Sequence, residues 1–430
     1  MNTKRVFVKS YGCSANQADG EVISGCLAEA GFKIVQSDLE ADVLVYNCCA
    51  VKGPTEDRMF EVLKHAPRKA RLVVAGCLSL ICYERLRREV DFDCIVGPSP
   101  GQLIAEVVSR ALQGEKFVAL EDSMSRKPNL LLPRTRSNPV ISVVPVSNGC
   151  LGSCAYCCVV FARGALRSCC PDEIVARIKA DLALGAREFW ITSQDTGCYG
   201  KDIGTNLADL LKEICEVQGD FRVRLGMMTP NFGKSLLSEL VDAYKNPKVF
   251  KFLHLPVQSG DNSILKRMRR GYTIEDFGKV VEEFRAEFPQ ITLATDVICG
   301  FPGETRSNFK KTLAAIGKFE PDVVNVSRFF ARPGTAAAEM LDKVDPAEIK
   351  ARSTELSEIA RRMALARNQR WVNWTGDVLV DEKGKRSDSW IGRNFAYKPI
   401  VVKNSQNLLG RVICVRAAKA YSTYLFAEIL

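Results

Sequence analysis

Between Ile141 and Ser327 one unit recurs six times: a short apolar run, then a helical stretch. Strands are expected at Ile141–Val146, Glu188–Thr192, Arg222–Met227, Lys251–Leu255, Thr292–Ile298 and Asp322–Ser327. Helical patterns fill the gaps, as at Asp172–Leu184, Asn206–Val217, Gly233–Tyr244 and Ile274–Glu287. Parallel neighbours need crossovers, and these are right-handed, so six such units predict a parallel barrel. Six falls short of the eight that close a barrel, so one side is expected to stay open.

The first 120 residues carry a second alternation. Strands read at Val6–Lys9, Val43–Tyr46, Leu72–Ala75 and Cys94–Val96, and helices at Ala18–Ala30, Glu56–His65, Tyr83–Glu89 and Gln102–Leu112. This predicts an open, mostly parallel α/β sheet. Residues 121–138 are polar and basic, with Pro128, Pro133 and Ser137, and read as a linker. Asp345–Arg367 reads as a helix, with Pro346 in its first turn and Ile349, Leu356, Ile359 and Met363 at helical spacing. After Trp371 short strands read at Asp377–Val380, Ala396–Val402, Gly410–Val415 and Tyr421–Ala427, with turns at Lys383–Lys385 and Asn404–Asn407. A small antiparallel β-barrel fits them. The expected α/β chain thus has a sheet domain (1–120), a linker (121–138), a partial (β/α)6 barrel (139–366) and a C-terminal β-barrel (367–430).

No apolar run approaches a membrane span, and the apolar stretch after Met1–Arg5 is too short for a signal-peptide core, so a cytoplasmic protein is expected. The net charge is +10, and the segment from Arg367 onward holds eleven Lys or Arg against five Asp or Glu. A basic module at one end predicts a polyanionic partner, nucleic acid first, with a solvated basic face as the bland alternative.

Seventeen cysteines are too many to ignore and, being odd in number, cannot all pair. Clustered cysteines in a cytoplasmic chain point to metal or catalysis. The two histidines, His65 and His254, read as structural residues and leave no basis for a His-rich zinc site. Cys150, Cys154 and Cys157 form CxxxCxxC directly after a barrel strand. Three thiolates leave one iron of a 4Fe–4S cluster free to bind a substrate. Zinc spacing would pair two CxxC elements, and no second one exists. Cys13, Cys49 and Cys77 each lie just past a strand of the first domain. In a parallel sheet those ends share the ligand edge, so a second three-thiolate site is expected there, against the alternative of three buried small hydrophobes. Cys26, Cys82, Cys94, Cys198, Cys215, Cys299 and Cys414 read as core or spacer residues, as do Cys48, Cys158, Cys169 and Cys170 despite their motif neighbours.

With these segments in view, the chain resembles the radical S-adenosylmethionine methylthiotransferases. The resemblance rests on Tyr11-Gly12-Cys13-Ser14-Ala15-Asn16, the run Asn47–Arg58, Val74-Ala75-Gly76-Cys77, the CxxxCxxC, Phe161-Ala162-Arg163-Gly164, Thr192-Ser193-Gln194-Asp195-Thr196 and Arg332-Pro333-Gly334-Thr335. It implies two 4Fe–4S clusters, one on Cys150, Cys154 and Cys157 and an auxiliary one on Cys13, Cys49 and Cys77. It also implies two molecules of S-adenosylmethionine per turnover and a C-terminal TRAM barrel that binds RNA. The run from Asn47 resembles the archaeal and eukaryotic branch, which converts N6-threonylcarbamoyladenosine beside the anticodon to its 2-methylthio form. The implied partners are the tRNA anticodon stem-loop, an electron donor protein and a sulfur donor. Cys48, Cys158, Cys169 and Cys170 depart from the usual pattern, which opens the question of misligation.

Other strand ends supply candidates for the cofactor. Tyr156 is expected to stack on adenine, and Gln194 and Asp195 to meet the methionine or ribose part. Gln258, Asp296 and Arg328 lie at or past strand ends, and Gly300 is expected to admit adenosine close to the backbone. In the tail, Trp390, Arg393, Phe395, Tyr397 and Lys398 interleave basic and aromatic residues, which suits phosphate contact and base stacking. The rival readings are thiomethylation of isopentenyladenosine or of a ribosomal-protein aspartate, and a non-catalytic iron–sulfur RNA-binding module.

Overall fold

The computed structural model describes residues 3–49, 53–120 and 127–430, with the side chains of 53–55 also left out. Residues 50–52 of the Asn47–Arg58 run and residues 121–126 of the expected linker lie outside it.

The first domain holds β1 (Arg5–Tyr11), β2 (Lys33–Val35), β3 (Val43–Cys48), β4 (Arg71–Ala75), β5 (Cys94–Val96) and β6 (Phe117–Ala119), all parallel in the order β2-β1-β3-β4-β5-β6. Helices α1 (Ser14–Glu29), α2 (Gly53–Lys64), α3 (Cys77–Ile81), α4 (Tyr83–Glu89) and α5 (Leu103–Gln113) cover its faces. Every residue of β3 is buried, because its alternate side chains enter separate cores: Leu44 and Tyr46 one, Val43 and Val45 the other. The chain crosses from one side of β1 to the other between β2 and β3. The β1–β3 gap is therefore the switch point, where such sheets bind ligands.

The central domain adds β7 (Ile141–Pro145), the short pair β8 (Ser147–Asn148) and β9 (Arg167–Ser168), then β10 (Glu188–Thr192), β11 (Arg222–Leu225), β12 (Phe252–His254), β13 (Thr292–Cys299) and β14 (Val323–Arg328). Its helices are α6 (Val160–Arg163), α7 (Pro171–Ala183), α8 (Leu207–Glu216), α9 (Pro230–Ser235), α10 (Leu237–Tyr244), α11 (Asn262–Arg267), α12 (Ile274–Glu287), α13 (Arg306–Phe319) and α14 (Ala336–Glu339). Sheets β7-β10-β11 and β12-β13-β14 are parallel and join through a Val223–Val249 bridge, giving the expected open six-stranded barrel. Phe189, Ile191, Val223, Leu225, Leu253 and Leu293 pack beneath the helices. The twofold alternation along each strand turns Trp190, Arg224, Phe252, His254 and Asp296 the other way, into the lumen. Helix α1 lies along the open side, where Ala18 packs on Ile141 and Val143.

Residues 127–138 do not behave as a loose linker. Arg134 donates to Val143 O (2.8 Å) and is ion-paired to buried Asp181, while Arg136 donates to Leu184 O (2.6 Å) and Ser137 to Glu21. The two guanidinium groups tie this segment to the barrel, while Ser137 and the Thr135 N–H tie it to Glu21 of the first domain. The stretch Gly233–Tyr244, expected as one helix, is two, broken at Leu236 with φ −126°.

Helix α15 (Pro346–Gln369) leads to a closed barrel of β15 (Thr375–Lys383), β16 (Ser389–Arg393), β17 (Pro399–Lys403), β18 (Val412–Ala420) and β19 (Leu425–Ile429). Its pairings are antiparallel except β17–β19, which is parallel. The loop between β16 and β17 enters the base of the central lumen. There Tyr397, at φ +59°, packs its ring edge-on to Phe250 and tilted against Phe252, at 4.9 and 5.1 Å. Among the described residues no helix is long and apolar enough to cross a membrane.

Candidate functional site

The barrel loop turns at Gly149, where φ is +76° and a Cβ would enter the Ala165 carbonyl, so only glycine fits. Cys150, Cys154 and Cys157 follow, all free and partly exposed. A Cβ on Gly152 would lie 3.3 Å from Cys150 Sγ and 3.6 Å from Cys154 Sγ, so the bare glycine leaves a cradle between the sulfurs. The Gly152 N–H donates to Cys150 Sγ (3.2 Å), and Arg270 Nη1 donates to Cys154 Sγ (2.8 Å). The Cys150 thiol is drawn below its ordinary value, chiefly by a hydrogen bond with Cys198, while burial pushes Cys157 up to about 12. Among the described residues no three His, Cys, Asp or Glu converge on a point as a single ion requires. A four-iron cube takes each thiolate on a different corner, and donors to sulfur stabilise such thiolates, so the loop can hold a cluster.

On the first domain, β1, β3 and β4 are adjacent and in register at their carboxyl ends, with Tyr11 opposite Cys48 and Asn47 opposite Ala75. Cys13, Cys49 and Cys77 come next on each strand, which brings the three strand-end positions to one edge at the switch point. Gly76, at φ +94°, lets the backbone pass Asn47 Oδ1 and Cys48 O, which a Cβ would meet at 2.5 and 2.6 Å. Asn47 ties the edge together, accepting from Asn16 Nδ2 (2.7 Å) and donating to Asn16 O (2.7 Å) and Ser10 Oγ (3.1 Å). Cys13 is exposed, whereas Cys49 and Cys77 are buried.

The two edges face each other. Ser14 Oγ, next to Cys13, hydrogen-bonds Thr192 Oγ1 at the end of β10 (2.6 Å). Buried Arg163, six residues past Cys157, pairs with Asp19 and lies against Cys77. Burial raises that thiol and the guanidinium opposes the rise. Arg332 Nη1 reaches Glu56 Oε2 at 2.6 Å, with both side chains more than nine-tenths buried. Desolvated pairs of this kind require good geometry, and each places one charge on each domain.

Of the remaining candidates, Tyr156 packs edge-on to Phe301 (6.4 Å) beside the loop. Gln194 Oε1 and Ser193 Oγ are buried without a hydrogen-bond partner, as is Gln258 Oε1, whose residue is held at φ +63°. Buried polar atoms left unsatisfied call for a partner, and Gln258 adds backbone strain to that. Asp296 accepts from His254 Nε2 (2.7 Å), so the histidine expected to be merely structural lines the lumen.

Other expectations are corrected. Asp195 is 2 % exposed and its carboxylate accepts from Gly197 N, Thr229 N and Thr229 Oγ1, so it clasps two loops. The place of a Cβ on Gly300 is filled by Ile349 of α15, which the glycine accommodates. Arg328 turns to Ser353 Oγ (2.8 Å) on the same helix. In the tail, Trp390 and Tyr397 are buried, Lys398 is paired with Asp322 (2.8 Å), and Arg393 with Asp381 (3.0 Å). Only Phe395 of the five is exposed. Apart from Phe395 these residues dock or build the small barrel: Trp390 and Arg393 because strand alternation does not say which face is inward, Tyr397 and Lys398 because their loop packs against the central barrel.

The extra thiols have their own surroundings. Cys48 turns to a core and donates to Tyr46 O, Cys169 donates to Pro128 O, Cys158 lies buried beside Arg332, and Cys170 caps α7. Cys198, expected as a spacer, is the one that meets Cys150. Neither it nor Arg270 carries a sequence signal, since their partners lie far along the chain.

Comparison with known proteins identifies the domains. Residues 144–316 match the Radical SAM superfamily, residues 5–97 the Uncharacterized protein family UPF0004, and residues 369–430 the TRAM domain. A solved radical S-adenosylmethionine methyltransferase, TsrM from Kitasatospora setae, shares the fold at TM-score 0.58 and 14% identity, over 78% of this chain and 75% of that one. A Pyrococcus abyssi protein named as a probable threonylcarbamoyladenosine tRNA methylthiotransferase is 40% identical over 99% of both chains. The Homo sapiens threonylcarbamoyladenosine tRNA methylthiotransferase is 35% identical, over 95% of this chain and 71% of its own. With three matching domains in order and relatives alike along their length, this chain belongs to the threonylcarbamoyladenosine tRNA methylthiotransferase family.

Proposed function

We propose that this chain converts N6-threonylcarbamoyladenosine beside the tRNA anticodon to its 2-methylthio derivative, in the cytoplasm. The observation that carries the reading is the facing of two three-cysteine edges across one interdomain space. Cys150, Cys154 and Cys157 would hold one 4Fe–4S cluster and Cys13, Cys49 and Cys77 a second. When bound, these groups and S-adenosylmethionine supply the one-electron and sulfur chemistry that an unactivated C–H bond needs and amino-acid side chains lack.

The protein's own residues position and shield. Gly152 N–H and Arg270 stabilise negative charge on the thiolates. Ser193 Oγ and Gln194 Oε1 offer acceptors to an ammonium such as that of the methionyl group. Tyr156 provides an aromatic wall, and Asp195 holds the loop after β10 in place. The Arg163–Asp19 and Arg332–Glu56 pairs fix the spacing of the two edges and keep water out. The anticodon stem-loop, an electron donor protein and a sulfur donor complete the reaction.

Anaerobic reconstitution should give 5′-deoxyadenosine with S-adenosylmethionine and a reductant, and iron for two clusters. Nucleoside mass spectrometry of tRNA from cells lacking the protein should show no 2-methylthio-threonylcarbamoyladenosine. Its persistence, or loss of the isopentenyladenosine product instead, would overturn the assignment.

A further inference from the structure

Among the described residues, the lumen beneath the cysteine loop holds a charge without a counterion. Neighbouring charged groups have partners within the protein: His254 with Asp296, and Glu188 Oε1 with Trp190 Nε1 and Tyr397 OH. At its base Arg222 meets Asp220, and Arg393 meets Asp381 and Glu382. Arg224 is different. Its guanidinium sits 5.2 Å from the ring of Trp190, 5.0 Å from Phe252 and 5.4 Å from Tyr397. Its Nε is buried without a hydrogen bond, and among the described residues no carboxylate lies in ion-pair reach of it. A guanidinium cannot release its proton to escape this position. Glu188, on the floor below, is no substitute, because burial raises its carboxyl to about 8.

Three rings hold the guanidinium in place while its terminal nitrogens remain available to the lumen, the geometry that suits a planar anion. Arg224 pairs with Trp190, which lies two residues below Thr192 at the strand edge, about 7 Å by strand rise. A base held between the cysteine edges would direct its N6 substituent down this lumen. The threonylcarbamoyl arm ends in a carboxylate.

We propose that Arg224 is a specificity-determining residue that binds the carboxylate of the threonylcarbamoyl group. The inference rests on the function proposed above. It is tested with anticodon stem-loop RNAs carrying either threonylcarbamoyladenosine or its threoninamide analogue, in which the carboxylate is a neutral amide. The wild-type holoenzyme should favour the acid by about 10- to 100-fold in kcat/KM, the size of one charge-assisted hydrogen bond. Arg224→Met should erase that preference and Arg224→Lys keep part of it, with iron content and thermal melting as controls for folding. Substrate-free 5′-deoxyadenosine formation and S-adenosylmethionine affinity should match the wild type. A preference that survives in Arg224→Met, or wild-type indifference to the amide, would overturn the proposal. Loss of S-adenosylmethionine affinity in Arg224→Met would overturn it too, by assigning the carboxylate to the cosubstrate. If the wild type modified neither RNA, the proposed function itself would fail, a distinct result.

Discussion

The two ends of the central barrel are closed in opposite ways. At the carboxyl end two buried charge pairs, Arg163 with Asp19 and Arg332 with Glu56, join the first domain to the barrel around the cysteine edges, beside the apolar contact of Ala18. At the amino end the C-terminal barrel inserts a side chain, Tyr397, into an aromatic nest and anchors itself with Lys398 on Asp322. One contact holds two surfaces together through charge pairs. The other fills space. The difference teaches that adjoining domains need not serve as accessories of one kind: on the function proposed above, the first would share the reacting volume and the last would bound it.

The sharpest test of that contrast removes the thiols from one edge. Replacing Cys13, Cys49 and Cys77 together by alanine should halve the iron and lower 2-methylthio product by about 1000-fold or more, while 5′-deoxyadenosine formation persists. Iron analysis with product mass spectrometry checks it. Next in size is Arg163→Met, which strands Asp19 in a buried site and should cost about 3–5 kcal/mol of stability, measured by denaturant unfolding. At the other end Tyr397→Phe keeps the plug and loses only its bond to Glu188 (3.1 Å), an expected cost of about 1 kcal/mol. Equal losses at the two ends would erase the distinction drawn here.

The smallest effect is in pH. Burial, with Asp381 nearby, raises Glu188 to about 8, and burial raises Asp381 to about 6. Raised carboxyl values mean that the folded state binds more protons than the unfolded one, so stability falls as pH climbs from the ordinary carboxyl range toward 8. Thermal melting of Glu188→Gln should decline less than that of the wild type between pH 5.5 and 8.5, by about a few degrees.

Much of this was legible in the sequence because it depends on local pattern. The periods of strand and helix placed β10, α4, α12 and the strand edges on which both cysteine trios sit. Three-residue edge strands such as β2 and β6 are too short to show a period. What stayed hidden depends on distant contacts. Arg270 reaches Cys154 across 116 positions, and Arg224 gains meaning only when three strands and a foreign loop surround it. The tail shows the same limit from another side: the mixture of Trp390, Arg393 and Lys398 resembles an RNA surface until the fold turns it inward.

The Tyr397 plug also bears on the order of assembly. Its hydroxyl meets Glu188 across 209 positions, so the floor of the lumen is among the most non-local contacts in the molecule. Such contacts require long loops to close and form late. The strands of the central barrel can pair before their vessel has a bottom, and during that interval its aromatic interior stands open to other chains. Folding of this protein should be most prone to aggregation in that interval, and a chain cut before Tyr397 would remain there.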